Sequence, residues 1–393
     1  MGGFLKENVA IIGSGCTKFG ENFTQSWADL AVEATFEACE DAGIELKDIE
    51  AAWLGSFRPW IAGERNTGIP LADALGFLYK PITLVSNICA TGLDALSNAC
   101  FAVASGMYDL VLAIGVEKMR DAGSRSLALA NRTDGHPLIG KGRTAPSFFA
   151  SCAQRYFEDY GIGRETLAKV AVKNHHNGAM NPKAYLQREI TVEDVLKSPW
   201  VAEPLSVLDS TGSVDGAAAA IVARADLAKN FQSDYILVKG MSLSIGTDRN
   251  IFDPEFNFLG FKPTQVAAQT AYQQAGIKNP RQEIDIAEVH DCFTITEIID
   301  YEDLGFAHQG EGWKLIEEGV TALAGELPVN TDGGLKAFGH PLGATGLRMV
   351  YEVIKQLQEK AGPRQVSNAR IGLAHCLGGP GALASVVVLG RSD

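Results

Sequence analysis

Four short stretches carry the residue types that do chemistry. In SNICATGLDALSNA, Cys89 follows the strand-like run Ile82-Thr83-Leu84-Val85 and precedes Leu93, Leu96, Ala99 and Phe101 at helical spacing. A thiol there faces the unpaired N–H groups and the positive dipole end of a helix, which favour thiolate. The same residue also suits a small filler of a tight corner. In GGLKAFGHPLGATG, His340 sits among glycines and is followed by Pro341 just before a helix. That glycine density suits close backbone approach to a ligand better than it suits a core, although a lone histidine is more often structural.

In GLAHCLGGPGA, Cys376 leaves an apolar strand for another glycine-rich loop. Backbone N–H groups in such a loop can form an oxyanion pocket, and the same text also reads as a tight turn between two strands. In EVHDCFT, His290, Asp291 and Cys292 end the strand-like IDIAEV, the end of a strand at which α/β folds place their sites. Cys292 alternates with His290 in strand phase, which turns both to one side. No ligand partners stand at zinc spacing, and no metal is expected.

The elements that must position these residues occur twice. VAIIG, WADLAVEATFEACEDAGI and IEAAWLG read as strand, helix and strand; so do YILVKG, PTQVAAQTAYQQAGI and EIDIAEVHDCF. Both helices end in Ala-Gly-Ile, with glycine as the left-handed cap. The second parts match as well: CATGLDALSNACFAVASGMYDLVLAIG and GHPLGATGLRMVYEVIKQLQ plus ARIGLAHC each give a helix followed by a buried strand. The chain therefore reads as a duplicated α/β fold of two βαβ-type halves, each with its own mixed sheet. The expected units are residues 1–117 and 209–229 for the first half, 118–208 for an insertion, and 230–393 for the second half. The insertion carries Lys118, Arg120, Arg125, Arg132, Lys141 and Arg143 within an acidic protein. That enrichment fits either a phosphate-bearing ligand or a solvated surface.

A net charge of −13 leaves no basic stripe to neutralise nucleic-acid phosphates. No apolar run approaches the ~20 residues of a membrane span, the N-terminal apolar stretch is short for a secretory signal, and position 6 is Lys where a myristoylation site has Ser or Thr. The cytoplasm is the expected compartment. Seven scattered cysteines without a CxxC pair indicate neither a disulfide framework nor a zinc site; most, including Cys100, read as buried fillers. SFRPWIAGERNTGI, with Phe57, Arg58 and Trp60, suits either a substrate tunnel or a subunit contact.

NICATGLDA, HDCF, GGLKAFGHPLGATG and AHCLGGPGA, in this order and spacing, resemble the thiolase family closely, and the resemblance spans essentially the whole chain. It implies a five-layered α-β-α-β-α thiolase fold with an inserted loop domain, residues 118–208, over the coenzyme A site. It implies that Cys89 is the acylated nucleophile, that His340 activates it and helps hold the thioester oxygen, and that Cys376 is the acid/base thiol. Gly378 matches the glycine whose N–H, with that of Cys89, forms the acyl-enzyme oxyanion hole. Where many thiolases have Asn-Glu-Ala-Phe, this chain has His290-Asp291-Cys292-Phe293, the form of the sterol-carrier-protein-type and archaeal-like branch; His290 then takes the asparagine's place in the first oxyanion hole, since an imidazole N–H donates as an amide does.

The implied activity is thiolytic cleavage of a 3-oxoacyl-CoA, or the reverse condensation, with coenzyme A as substrate and no metal or redox cofactor. A homodimer or dimer of dimers is implied, and some relatives work with a small OB-fold, zinc-ribbon protein. The alternatives are a thiolase subunit specialised for branched, aromatic or dicarboxylic 3-oxoacyl-CoAs such as benzoylsuccinyl-CoA, and a related condensing enzyme. The latter lacks a second cysteine in a CxG context, which Cys376-Leu377-Gly378 supplies. A non-catalytic relative would be expected to have lost one of the motif residues.

Overall fold

The computed structural model describes residues 8–122, 144–247, 249–250 and 253–392. Arg125, Arg132, Lys141 and Arg143 lie outside the described residues, as does the side chain of Trp60. The strands are β1 (Val9–Cys16), β2 (Ala51–Gly55), β3 (Ile82–Val85), β4 (Leu110–Lys118), β5 (Trp200–Ala202), β6 (Leu205–Ser206), β7 (Asp215–Arg224), β8 (Ile236–Ile245), β9 (Ile286–Glu288), β10 (Ile371–Gly378) and β11 (Leu383–Arg391). The helices that position the site are α1 (Trp27–Ala42), α2 (Thr91–Ala104), α3 (Ala145–Tyr160), α4 (Arg164–Ala179), α5 (Lys262–Ala275), α6 (Thr294–Asp303), α7 (Gly334–Phe338) and α8 (Leu342–Leu357).

The duplication read from the sequence is present in space. β1 and β8 open the two halves, and each is followed by a helix that ends on a left-handed glycine, Gly43 after α1 and Gly276 after α5. Ser26 and Asp29 close a capping box at the start of α1. α1 packs on β1 and β7 and α5 on β8 and β11, while α2 and α8 pack on each other between the halves. Five layers result: α1, the strands of the first half, the α2–α8 pair, the strands of the second half, and α5.

One expectation is modified. The two halves do not keep wholly separate sheets, because nine strands run continuously in the order β3-β2-β4-β7-β1-β8-β11-β10-β9. The junction is short: β1 and β8 pair only through Ala10 with Leu237 and Ile11 with Ile236. Beyond it β1 continues against β7 and β8 against β11, as the twist of each half parts the two strands.

The central layer has little room. A methyl group on Gly92 of α2 would sit 2.7 Å from the carbonyl oxygen of Gly343 on α8, well inside van der Waals contact. α8 is buried along nearly its whole length, and the polar residues it carries inward are paired. Arg348 meets Glu288 at 2.8 Å and also bonds Asp332, and Glu352 meets Arg364 at 2.8 Å. Removing one partner of such a pair costs about 3–5 kcal/mol, because a buried charge is left alone.

Candidate active site

Cys89 stands in a single turn, Ile88–Ala90, between β3 and α2. The turn is strained: Ile88, a β-branched residue, has φ +47°. Thr91 holds it there, its Oγ1 accepting from the Asn87 N–H at 2.8 Å and donating to the Ile88 carbonyl at 2.6 Å. Asn87 in turn donates to Asp94 at 2.6 Å. The strain and the clamp together set Cys89 at the head of a buried helix.

His340 stands at the equivalent point of the second half, after Gly339 with φ +103° and just ahead of α8. Its Nε2 lies 3.2 Å from the Cys89 Sγ, and its Nδ1 lies 2.7 Å from the Thr345 Oγ1. Thr345 gives its only hydroxyl proton to the Pro341 carbonyl at 3.0 Å, so toward His340 it acts as acceptor. Nδ1 therefore carries the ring proton, and Nε2 is the lone pair facing the thiol. Burial and the Arg348 cation pull His340 down to about 3, and burial together with the neighbouring Cys376 pushes the Cys89 thiol up. The resting pair is neutral thiol and neutral imidazole, ready to exchange one proton.

His290 packs its ring edge-on against His340, with centroids 5.1 Å apart, and its Nδ1 is buried with no hydrogen-bond partner. The loop that bears it is pinned by Asp291, whose carboxylate accepts from the Leu335 N–H at 2.6 Å, the Lys336 N–H at 3.1 Å and the Asn174 amide at 2.8 Å. Leu335 and Lys336 belong to α7, which leads to His340, and Asn174 belongs to α4 of the insertion. One carboxylate thus ties both histidine loops to the inserted segment.

These groups open onto a cavity of about 310 Å³ lined by Cys89, His290, Cys292, His340, Leu377 and Gly378 on the side of the core, and by Ala145, Pro146, Phe149, Val201 and Val207 from the inserted segment. Gly378 runs alongside the nucleophile: a Cβ there would lie 3.3 Å from the Cys89 backbone nitrogen. Phe149 stacks obliquely on Phe293, with centroids 5.1 Å apart, to close one wall.

Cys376 is close to this group but turned from it. Its side chain is fully buried, its Sγ meets the Met349 Sδ at 3.5 Å, and the cavity wall is made by its neighbours Leu377 and Gly378. Burial pushes its thiol up to about 12, with the Arg348 cation opposing. Cys292, which the sequence placed on one side with His290, does share the cavity with it. Thr91, Thr345 and Asn174 escaped the sequence reading; the only signal was a threonine in the first turn of each central helix.

Of the six basic residues singled out in the insertion, the two that are described, Lys118 and Arg120, are already engaged. Lys118 is buried, 3.0 Å from Asp215 and 2.7 Å from Asp121, and Arg120 pairs with Glu21. The phosphate-binding reading therefore fails for Lys118, whose charge is spent on Asp215.

The site is a thiol–imidazole pair at the meeting point of the two central helices of a duplicated α/β fold. Family models named for the thiolase N-terminal domain and a thiolase C-terminal domain-like region match residues 9–226 and 247–391, and the chain belongs to the thiolase family. It is 42% identical to an acetyl-CoA acetyltransferase of Methanothermobacter thermautotrophicus over 390 residues, 98% of this chain and all of that protein. It is 36% identical to sterol carrier protein 2 of Gallus gallus, across 96% of this chain and 71% of that protein. Among solved structures, an Ltp2-ChsH2(DUF35) aldolase superposes with a TM-score of 0.84 at 28% identity, covering 99% of both chains. Human mitochondrial 3-ketoacyl-CoA thiolase in complex with CoA superposes with a TM-score of 0.72 at 19% identity, again over 99% of both, a likeness of fold. The chain is thus a CoA-dependent thiolase, an acyltransferase. Among the described residues no helix is long and apolar enough to cross a membrane.

Proposed function

We propose that the protein cleaves a 3-oxoacyl-CoA by thiolysis, or runs the reverse condensation, through an acyl group carried on Cys89. The observation that carries this is the 3.2 Å contact between the Cys89 thiol and the Nε2 of His340. As Sγ attacks the 3-keto carbon, Nε2 takes its proton, and the helix N-terminus stabilises the sulfur. His340, now protonated, and His290 face the oxygen on which charge develops. The N–H groups of Cys89 and Gly378 hold the acyl-enzyme oxygen, a role supported by their close approach.

Cleavage leaves an enolate that needs a proton, and coenzyme A must later give one up. We assign that exchange to Cys376, in line with the family pattern and with the Arg348 cation behind it. Its contact with Met349 favours a second reading, in which Cys292 on the cavity wall does this work. Cys376→Ser and Cys292→Ser separate the two: the variant that still accepts an acyl group but loses carbon–carbon cleavage has lost the acid/base. Normal turnover by Cys376→Ser removes it from the mechanism.

The reading that the inserted segment, residues 118–208, folds over the coenzyme A site is supported by the wall of the cavity that this segment supplies. Phe149, Phe293, Val201 and Val207 make an apolar lining, which supports an apolar acyl group over a dicarboxylic one. A thiolysis series across 3-oxoacyl-CoAs tests this; preference for a dicarboxylic substrate contradicts it. Residues 1–117 with 209–229, and 230–393, are taken as the two halves. Two copies are expected to pair through the edge strand β3, which is only partly buried and is flanked by exposed Leu78 and Tyr79. The likeness to the Ltp2-ChsH2(DUF35) aldolase supports a second protein component as well; co-purification from the native host tests it.

A further inference from the structure

The site has a property that acyl transfer does not use. We propose that Cys89, His290 and His340 together form a binding site for a thiophilic divalent metal ion, zinc above all, which switches the site off reversibly. The sequence hid this cluster, because its members lie far apart in the chain and at no metal-ligand spacing.

One donor atom from each of the three residues falls within a sphere of mutual distances no greater than 4.8 Å, and the closest pair, Sγ and Nε2, is at 3.2 Å. Zinc holds thiolate sulfur at about 2.3 Å and imidazole nitrogen at about 2.0–2.1 Å, so neighbouring donors of a tetrahedral site stand roughly 3.3–3.6 Å apart. Small side-chain rotations bring the three within that geometry. His340 is already oriented as metal-binding histidines are, with Nδ1 held by Thr345 and Nε2 turned toward the Cys89 sulfur. His290 gives the independent sign of a ligand: it is 2% exposed, it lines the cavity, and its Nδ1 has no partner. A buried ring nitrogen in that state gains by any group that supplies the missing contact.

The step needs no oxidant. Zinc accepts lone pairs from two neutral imidazoles, Cys89 bonds to it as thiolate, and the thiol proton leaves to buffer. The fourth position faces the cavity, where water completes the tetrahedron. A thiolate bound in this way cannot attack a thioester, and its histidine has no lone pair to take a proton. Metal binding stands whether or not the acyl-transfer reading holds; only the loss of acylation rests on that reading.

Cobalt(II) titrated into the full-length protein reports the site. One equivalent is expected to give tetrahedral visible bands with a thiolate-to-metal charge-transfer band. Cys89→Ser is expected to lose that charge-transfer band, and His290→Ala to weaken binding at least tenfold. A band that survives Cys89→Ser, or one that disappears only in Cys292→Ser, overturns the assignment. Unmutated protein gives a second reading that needs no variant to fold. Zinc at one equivalent is expected to slow iodoacetamide labelling of Cys89, mapped by peptide mass spectrometry, at least tenfold, with recovery on adding a chelator. Labelling of Cys89 at an unchanged rate overturns the proposal.

Discussion

The corner that bears Cys89 and the corner that bears His340 are the same construction used for different ends. Each reactive residue follows a residue at positive φ, Ile88 or Gly339, and stands just before a buried central helix. Each helix brings a threonine back to its corner in its first turn. Thr91 bonds only main-chain groups, the Asn87 N–H and the Ile88 carbonyl. Thr345 bonds one main-chain group and the imidazole itself. A nucleophile has only to be in the right place, so its threonine holds the backbone. A base has to be in place and in the right tautomer, so its threonine reads the proton on Nδ1.

That difference predicts a ranking of effects. Cys89→Ala removes the bond-forming atom and is expected to lower kcat by about 10⁴-fold or more. His340→Asn leaves the thiol without its proton acceptor and is expected to cost about 10²–10⁴-fold. The double variant should be little worse than Cys89→Ala alone, since the pair acts as a unit; additive losses would show two independent roles. Thr345→Val leaves a buried N–H without an acceptor and frees the tautomer. At about 1–3 kcal/mol for such a loss, acylation should slow by roughly 10–100-fold, with substrate affinity nearly unchanged. Thr91→Val disturbs only the turn, and it is expected to show mainly as a lowered melting temperature.

The pH profile separates the two corners further. His340, pulled down to about 3 by burial and Arg348, stays neutral and able to accept a proton until the pH falls close to that value. Acylation is therefore expected to show no acid limb from this histidine between about pH 5.5 and 7.5, where an unshifted imidazole would titrate. A limb near 6.5 that vanishes in His340→Asn would show that the imidazole is not held neutral by burial.

The repeated strand–helix–strand order, the glycine caps at Gly43 and Gly276, and the corners that bear Cys89 and His340 were readable in the chain, because each depends on local spacing, whereas the roles of Cys89, His290 and His340 were read only from the family resemblance. What escaped depends on how distant segments meet. The pairing of Lys118 with Asp215 joins residues 97 apart, so a lysine that reads as free surface charge is a buried structural partner. Asp291 reads as one letter of a motif, and only the fold shows it gathering α7 and Asn174 around the histidine loops. The seam between β1 and β8 rests on two residue pairs, too little for any pattern to announce. Cys376 and Cys292 show the same limit, since strand phase gave Cys292 its side but could not say which sulfur the cavity reaches.

The central claim is that the acyl group passes through Cys89 with His340 as its base. Incubating the protein with a 3-oxoacyl-CoA, quenching with acid and mapping the peptides by mass spectrometry tests it directly. The expected result is one acyl adduct on Cys89, formed far more slowly in His340→Asn. An adduct on Cys292 or Cys376 instead, or an undiminished rate in His340→Asn, would contradict it.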